Sequence, residues 1–178
     1  MIMMTQDIPK AVKTTLNQIE VSAANDSPIA QAPTILSQVT TEEVQQRLQL
    51  LGSITWLMMQ SPLHRSYTLE DLETRILPSL MHDQFRYYQS GGQPVGFLNW
   101  AWLSEEIEAQ YQTGEYQLLF PEWKCGDRLW YPEFIAPFGH ARYIVKDIRQ
   151  NIFRKGTPAK ALRVDAEGNL RSIAKYTL

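Results

Sequence analysis

Apolar and polar positions divide the chain into an aperiodic leader and a long patterned remainder. Up to about residue 40 the sequence is rich in Thr, Ser, Gln, Ala, Asn and Pro, and its apolar residues hold no sustained period. A short helix over Pro9–Val21 is the most this stretch can carry, because Pro28 and Pro33 forbid a long regular element. The pattern predicts a flexible N-terminal arm over residues 1–40 and one folded domain over residues 41–178.

Order is expected to begin at Thr40–Glu43, where a threonine cap precedes acidic residues suited to the positive end of a helix. Val44, Leu48, Leu51, Thr55 and Met58 then recur at helical spacing as far as Gln60, and Ile54, Trp56, Leu57 and Met59 widen the apolar surface. The final turn is therefore expected to be buried nearly all round. Ser61-Pro62 ends the helix, since a residue before proline is pushed out of helical geometry, which leaves Leu63, His64 and Arg65 in a tight connection.

A second helix is predicted from Thr68 to about Ile76, closing near Pro78. Phe85, Tyr87 and Tyr88, then Ser90-Gly91-Gly92-Gln93, then Val95, Phe97, Leu98, Trp100 and Trp102 read as two strands about a glycine turn. Ser104 caps a short acidic helix to Tyr111 whose exposed face reads as solvated charge. A third strand spans Leu129–Ala136, and a helix from about His140 to Phe153 draws apolar positions from Tyr143, Val145, Ile148 and Ile152. Two final strands, Ala159–Val164 and Leu170–Tyr176, flank the turn residues Asp165–Asn169. Helices followed by a mixed order of hairpin, strand, helix and strands predict an α+β domain with a central, mainly antiparallel sheet.

Composition changes this picture little. The 178 residues are 44% hydrophobic and 20% charged, as in ordinary globular domains, which excludes disordered, collagen-like and coiled-coil chains. The single cysteine, Cys125, can form neither an internal disulfide nor a thiolate zinc site, in keeping with a reducing compartment. MIMMTQDIPK holds no signal-peptide core, and Leu48–Met59 is far shorter than the ~20 residues of a membrane span, so a cytoplasmic protein is expected.

Charge adds more. The net of -2 argues against nucleic acid as a partner, yet it is unevenly distributed. Residues 1–138 carry 8 basic and 16 acidic side chains, whereas residues 139–178 carry 9 basic and 3 acidic. The basic end reads either as a solvated helix face or as a docking patch for an acidic or phosphate-bearing partner.

Among candidate chemical groups, His82 beside Asp83 and His140 after Gly139 suit surface positions without function. His64 lies between a methionine-rich helix end and Arg65, with Pro62 stiffening its approach, and reads either as a satisfied structural histidine or as an oriented base or nucleophile. Motifs for a nucleophile elbow, a phosphate loop, a zinc-protease helix and a dinucleotide site are missing. No residue set suggests a metal.

The order of certain segments is more specific. Leu51–Leu57, Ser61-Pro62-Leu63-His64-Arg65 and Ile76-Leu77-Pro78 resemble the opening of the toxin-activating lysine acyltransferases. Pro94-Val95 to Asn99-Trp100-Ala101-Trp102-Leu103-Ser104 resembles that family's central strand, and Trp123, Gly126-Asp127-Arg128 and Trp130 its next block. Ile135-Ala136-Pro137-Phe138-Gly139 is the most specific match, and Arg163-Val164-Asp165 resembles a later one.

The resemblance implies a fold similar to the GNAT acetyltransferases. It also implies transfer of a fatty acyl group from acyl carrier protein to lysine side chains of an RTX protoxin, in the cytoplasm and with no bound cofactor. The family's catalytic histidine falls on His64. Its partner aspartate falls on Glu133, a departure that keeps the carboxylate but adds a methylene. Ser61 is expected to support the histidine by a hydrogen bond, and Arg142, Lys146 and Arg149 to dock the acidic donor protein. Trp56, Met58, Met59, Trp100 and Trp102 are candidates for an acyl channel or for core.

A base is required because a lysine amine is protonated at neutral pH, and direct attack and an acyl-histidine intermediate both remain open. The acceptor could be a protoxin or a ribosomal peptide precursor, and a homodimer is compatible with the sequence. A catalytically silent binding module is the alternative of another class. A small-molecule acetyltransferase is disfavoured by the lack of a glycine-rich loop for the coenzyme A pyrophosphate.

Overall fold

The computed structural model describes residues 40–165 and 168–178. The expected arm, apart from Thr40, and two residues of the last turn lie outside the described residues. The fold is α+β, and among the described residues seven strands form two sheets rather than one central sheet.

Helix α1 (Thr41–Gln60) begins as its sequence predicts: the Thr40 hydroxyl accepts from the Glu43 N–H and the Glu43 carboxylate accepts from the Thr40 N–H. Its last turn is not buried all round. Ile54, Leu57 and Met58 face the core, whereas Trp56 and Met59 face outward. The second helix runs past Pro78, as α2 (Leu69–Asp71), a π-helical turn (Leu72–Ile76) and α3 (Leu77–Met81). The wide π-turn, closed by the Leu77 N–H on the Leu72 carbonyl, resets the register so that Pro78 enters the first turn of a new segment, where its missing N–H is tolerated.

Strands β1 (Phe85–Ser90) and β2 (Gln93–Asn99) form the expected hairpin, with Gly91 and Gly92 at φ 57° and 79° in its turn. The sheet β1-β2-β5 is antiparallel; the sheet β3-β4-β6-β7 contains a parallel β4–β6 pair. The division falls where β2 gives way to β3 (Ala101–Leu103), and where the predicted third strand breaks into β4 (Arg128–Trp130) and β5 (Phe134–Ile135). At the break, Trp100 donates its N–H to the Gln84 carbonyl and gives its own carbonyl to the Gln84 amide, so it leaves the ladder. On the neighbouring strand, Tyr131 N–H bonds Lys160, whereas the Glu133 carbonyl accepts from Asn99 N–H. One extended segment therefore supplies a strand to each sheet, and Glu133 sits just before the second of them.

Helix α4 (Glu105–Tyr111) is capped by Ser104, as expected. Its acidic face is not merely solvated. Glu108 is buried and bonds Trp130 Nε1, Arg128 and Lys160 at 2.7, 3.1 and 3.0 Å. Helix α5 (Ala141–Asp147), followed by a π-helical turn (Ile148–Ile152), buries Ile144 and Ile148; Tyr143 and Val145, expected inside, are exposed. This helix carries the chain from β5 to β6 (Pro158–Val164), a crossover that makes the β4–β6 pair parallel. Strand β7 (Leu170–Thr177) returns antiparallel to β6.

The first sheet lies between two helices. On one side Phe97 and Ile135 meet Ile54, Leu57 and Met58 of α1; on the other Leu98 and Val95 meet Ile144 and Ile148. Leu57, Met58, Ile135 and their neighbours thus fix the end of α1 against the start of β5.

Candidate active site

Two chain segments meet at the sheet division. The first leaves α1 through Ser61, whose N–H still bonds the Met58 carbonyl, and tightens into a single 3-10 turn over His64–Ser66. Arg65 N–H to the Ser61 carbonyl, 3.0 Å, closes the bend. The second is Tyr131-Pro132-Glu133. Both are held by the core beneath them, so His64 and Glu133, 69 residues apart, sit 5% and 3% exposed in contact with each other.

His64 has a partner on each ring nitrogen. Its Nε2 is 3.1 Å from Glu133 Oε2 and its Nδ1 is 2.7 Å from Ser61 Oγ. A carboxylate can only accept, so in the neutral imidazole Nε2 carries the proton and Nδ1 accepts from the Ser61 hydroxyl. The nitrogen able to take a further proton is Nδ1, and Ser61 stands on it.

Glu133 has more partners than the sequence suggests. Tyr67 O–H lies 3.2 and 3.3 Å from its two carboxylate oxygens, and an Arg75 N–H lies 3.4 Å from Oε1. Burial, with the Glu133 charge second, pushes the Tyr67 phenol well above its usual range, so it remains a donor. Burial opposes the Arg75 charge, but Glu133 and then Tyr67 outweigh it and raise the guanidinium further. Asn99, fully buried, joins the pieces: its Oδ1 accepts the Glu133 N–H at 2.8 Å, and its amide donates to the Arg75 carbonyl at 2.8 Å and to Ser79 Oγ at 3.2 Å.

The structure therefore brings His64, Glu133 and Ser61 together. Tyr67 and Arg75 escaped the sequence reading. A partial signal was present, since Asp71 and Arg75 have the four-residue spacing of a helical ion pair, and their side chains meet at 3.2 Å. Nothing in the sequence aims Arg75 at a residue 58 positions away.

Arg142, Lys146 and Arg149 are exposed on α5 and the turn after it, together with Tyr143 and Val145. They lie outside the His64 constellation. The proposed channel residues separate: Met58 and Trp100 are buried in core clusters and Trp102 is packed against one, leaving Trp56 and Met59 at the surface. Trp56 meets exposed Phe138, of the loop after β5, at 5.7 Å between ring centroids. The loop cysteine, Cys125, is exposed and accepts a bond from the Ser104 N–H. A cleft of about 540 Å³ between α3 and residues 117–120 contains none of the three central side chains.

Residues 43–177 match the family model described as the RTX toxin acyltransferase family. The lysine-acyltransferase RtxC of Vibrio cholerae is 38% identical over 132 residues, covering 71% of this chain and 86% of that protein. The leukotoxin-activating lysine-acyltransferase LtxC of Aggregatibacter actinomycetemcomitans is 36% identical over 109 residues, covering 61% of this chain and 65% of that one. The protein-lysine myristoyltransferase RtxC of Kingella kingae is 35% identical over 126 residues, covering 71% and 74%.

Proposed function

The chain belongs to the RTX toxin acyltransferase family and is therefore an acyltransferase, and on that premise we propose that it moves a fatty acyl group from acyl carrier protein to lysine side chains of an RTX protoxin-type acceptor in the cytoplasm. The observation that carries the proposal is the buried Ser61–His64–Glu133 chain of hydrogen bonds within the matched region.

Aminolysis of a thioester has a simple balance. The lysine amine attacks the acyl carbonyl carbon, a C–N bond forms, the C–S bond breaks, and one proton leaves nitrogen while the thiolate of the carrier's prosthetic arm gains one. At neutral pH the free lysine is an ammonium with a pKa of ~10.4, so one further proton is released to solvent before the neutral amine attacks. In this reading Ser61 Oγ accepts the amine proton as its own passes to His64 Nδ1. Glu133 stabilises the resulting imidazolium through Nε2–H. The imidazolium then returns the proton to the leaving sulfur. The occupied Nδ1 favours this direct route over an acyl-histidine, which would first require the Ser61 bond to break.

Arg142, Lys146 and Arg149 are assigned to docking of the acidic carrier. The test is mass spectrometry of the acceptor co-expressed with the protein and an acyl carrier protein. A lysine that gains a fatty acyl mass is expected, and His64→Ala should reduce the modified fraction at least ~100-fold in rate while the variant still melts cooperatively. Unchanged acylation by His64→Ala would exclude the mechanism, and acylation that persists undiminished without acyl carrier protein would exclude the donor.

A further inference from the structure

As a glutamate, Glu133 carries its carboxylate on one more rotor than an aspartate would. A carboxylate on a longer stem can meet His64 Nε2 in more than one way, and each turn of it would change which oxygen faces the ring. Three groups remove that freedom. Asn99 pins the backbone on both sides of the peptide, taking the Glu133 N–H and giving its own N–H to the Glu133 carbonyl. Tyr67 spans both oxygens, and Arg75 takes Oε1, the oxygen that His64 does not use.

The two carboxylate partners are themselves held. Arg75 Nε bonds Asp71 Oδ1 at 3.2 Å, and its guanidinium lies 5.4 Å over the Tyr67 ring. The Tyr67 ring in turn packs against the His64 ring, 5.2 Å between centroids. Asp71 is fixed at its helix start by the Thr68 N–H and hydroxyl. A linked path runs from a helix cap to the imidazole.

We propose that Tyr67 and Arg75 are positioning residues that lock Glu133 Oε2 onto Nε2 of His64 and so fix Nδ1, facing Ser61, as the only nitrogen free to take the substrate's proton. The inference rests on the assignment of His64 and Glu133 to catalysis. With either clamp residue removed, Oε1 loses a bond in a buried setting and the carboxylate turns to recover it. The imidazole then samples the tautomer with its proton on Nδ1, in which the base points away from Ser61.

The experiment uses the full chain labelled with nitrogen-15 in histidine, with the His64 resonances assigned by their loss in His64→Ala. The native protein is expected to show one neutral tautomer, protonated at Nε2. Tyr67→Phe and Arg75→Gln, checked for cooperative melting, should show a mixture. With acyl carrier protein carrying a myristoyl chain as donor and the unmodified acceptor protein identified by co-expression, each should lower kcat about five- to tenfold with KM for the donor unchanged.

In a Glu133→Gln background, Tyr67→Phe should have almost no further effect on kcat, because both act through the same carboxylate. A role in general stability would instead lower the rate in both backgrounds. A single Nε2–H tautomer and native kcat in both clamp variants would overturn the proposal. Native kcat in Glu133→Gln would overturn the underlying assignment instead.

Discussion

A buried carboxamide and a buried carboxylate set the tolerance of the site to single changes. Asn99 satisfies the Glu133 N–H, the Arg75 carbonyl and Ser79 at once. Asn99→Leu keeps approximate volume but leaves the two backbone groups unpaired, each costing about 1–3 kcal/mol. A loss of about 2–5 kcal/mol in denaturant unfolding is expected, with activity reduced beyond the fraction unfolded. Glu133→Asp withdraws the carboxylate by about one carbon–carbon bond from Nε2, Tyr67 and Arg75 together. A fall of about tenfold or more in kcat is expected, since misplacement on the order of 1 Å is costly in preorganised sites. A native rate would mean that the partners follow the shorter side chain inward.

Local sequence governs the elements, and two of them offer separable tests. The second helix starts on a capping box in which Thr68 Oγ1 accepts from the Asp71 N–H and the Asp71 carboxylate accepts from the Thr68 N–H. Partial burial works against the Asp71 charge, but the Thr68 bonds and then Arg75 outweigh it and hold the carboxyl below its usual range. A carboxyl whose pKa is lowered on folding stabilises the fold above its unfolded pKa and loses that contribution as pH falls through the folded value. Asp71→Asn should therefore lower the melting temperature at pH 7, and the difference should shrink steadily below about pH 4. A constant difference across that window would assign the effect to shape and not to charge.

At the start of β4, Gly126 donates its N–H to the Trp102 carbonyl while its Cα lies against the end of β3. An added Cβ would lie 2.2 Å from the Leu103 carbonyl oxygen, a backbone atom that cannot rotate away. Gly126→Ala should cost about 1–3 kcal/mol through overpacking and lower the melting temperature by about 2–4 °C per kcal/mol.

Across the whole molecule, basic charge is concentrated in the last 40 residues, and the fold decides how much of the segregation reaches solvent. Lys160 is committed to Glu108 and to the face of Trp130, so part of the basic excess is internal. Arg142, Lys146 and Arg149 remain exposed, with Tyr143 and Val145 among them offering apolar contact. Reversing Arg142 and Lys146 to glutamate should raise KM for acyl carrier protein at low salt and leave kcat at saturating donor nearly unchanged. The difference should diminish at ionic strengths where the Debye length falls to about 8 Å. Equal KM values at low ionic strength would show that this face does not receive the donor. No helix among the described residues is long and apolar enough to cross a membrane.

What the sequence determined by itself is what neighbours along the chain can determine. Caps at Thr40, Thr68 and Ser104 placed three helix starts, and Gly91-Gly92 placed the hairpin, because each depends on bonds reaching only three or four residues. His64 and Glu133 were singled out only through the family resemblance of the ordered motifs. Only the tertiary structure decided that the sheet divides at Trp100 and Tyr131, since that follows from Gln84 and Lys160 competing for their backbone groups. It alone decided that Tyr143 and Val145 face outward while Ile144 and Ile148 face the core. Periodicity fixes which residues share a helix face, but the sheet beneath decides which face is buried. The same holds for the site: two ring nitrogens, two carboxylate oxygens and the groups from Tyr67, Arg75 and Asn99 acquire partners only when segments as far as 69 residues apart are packed together.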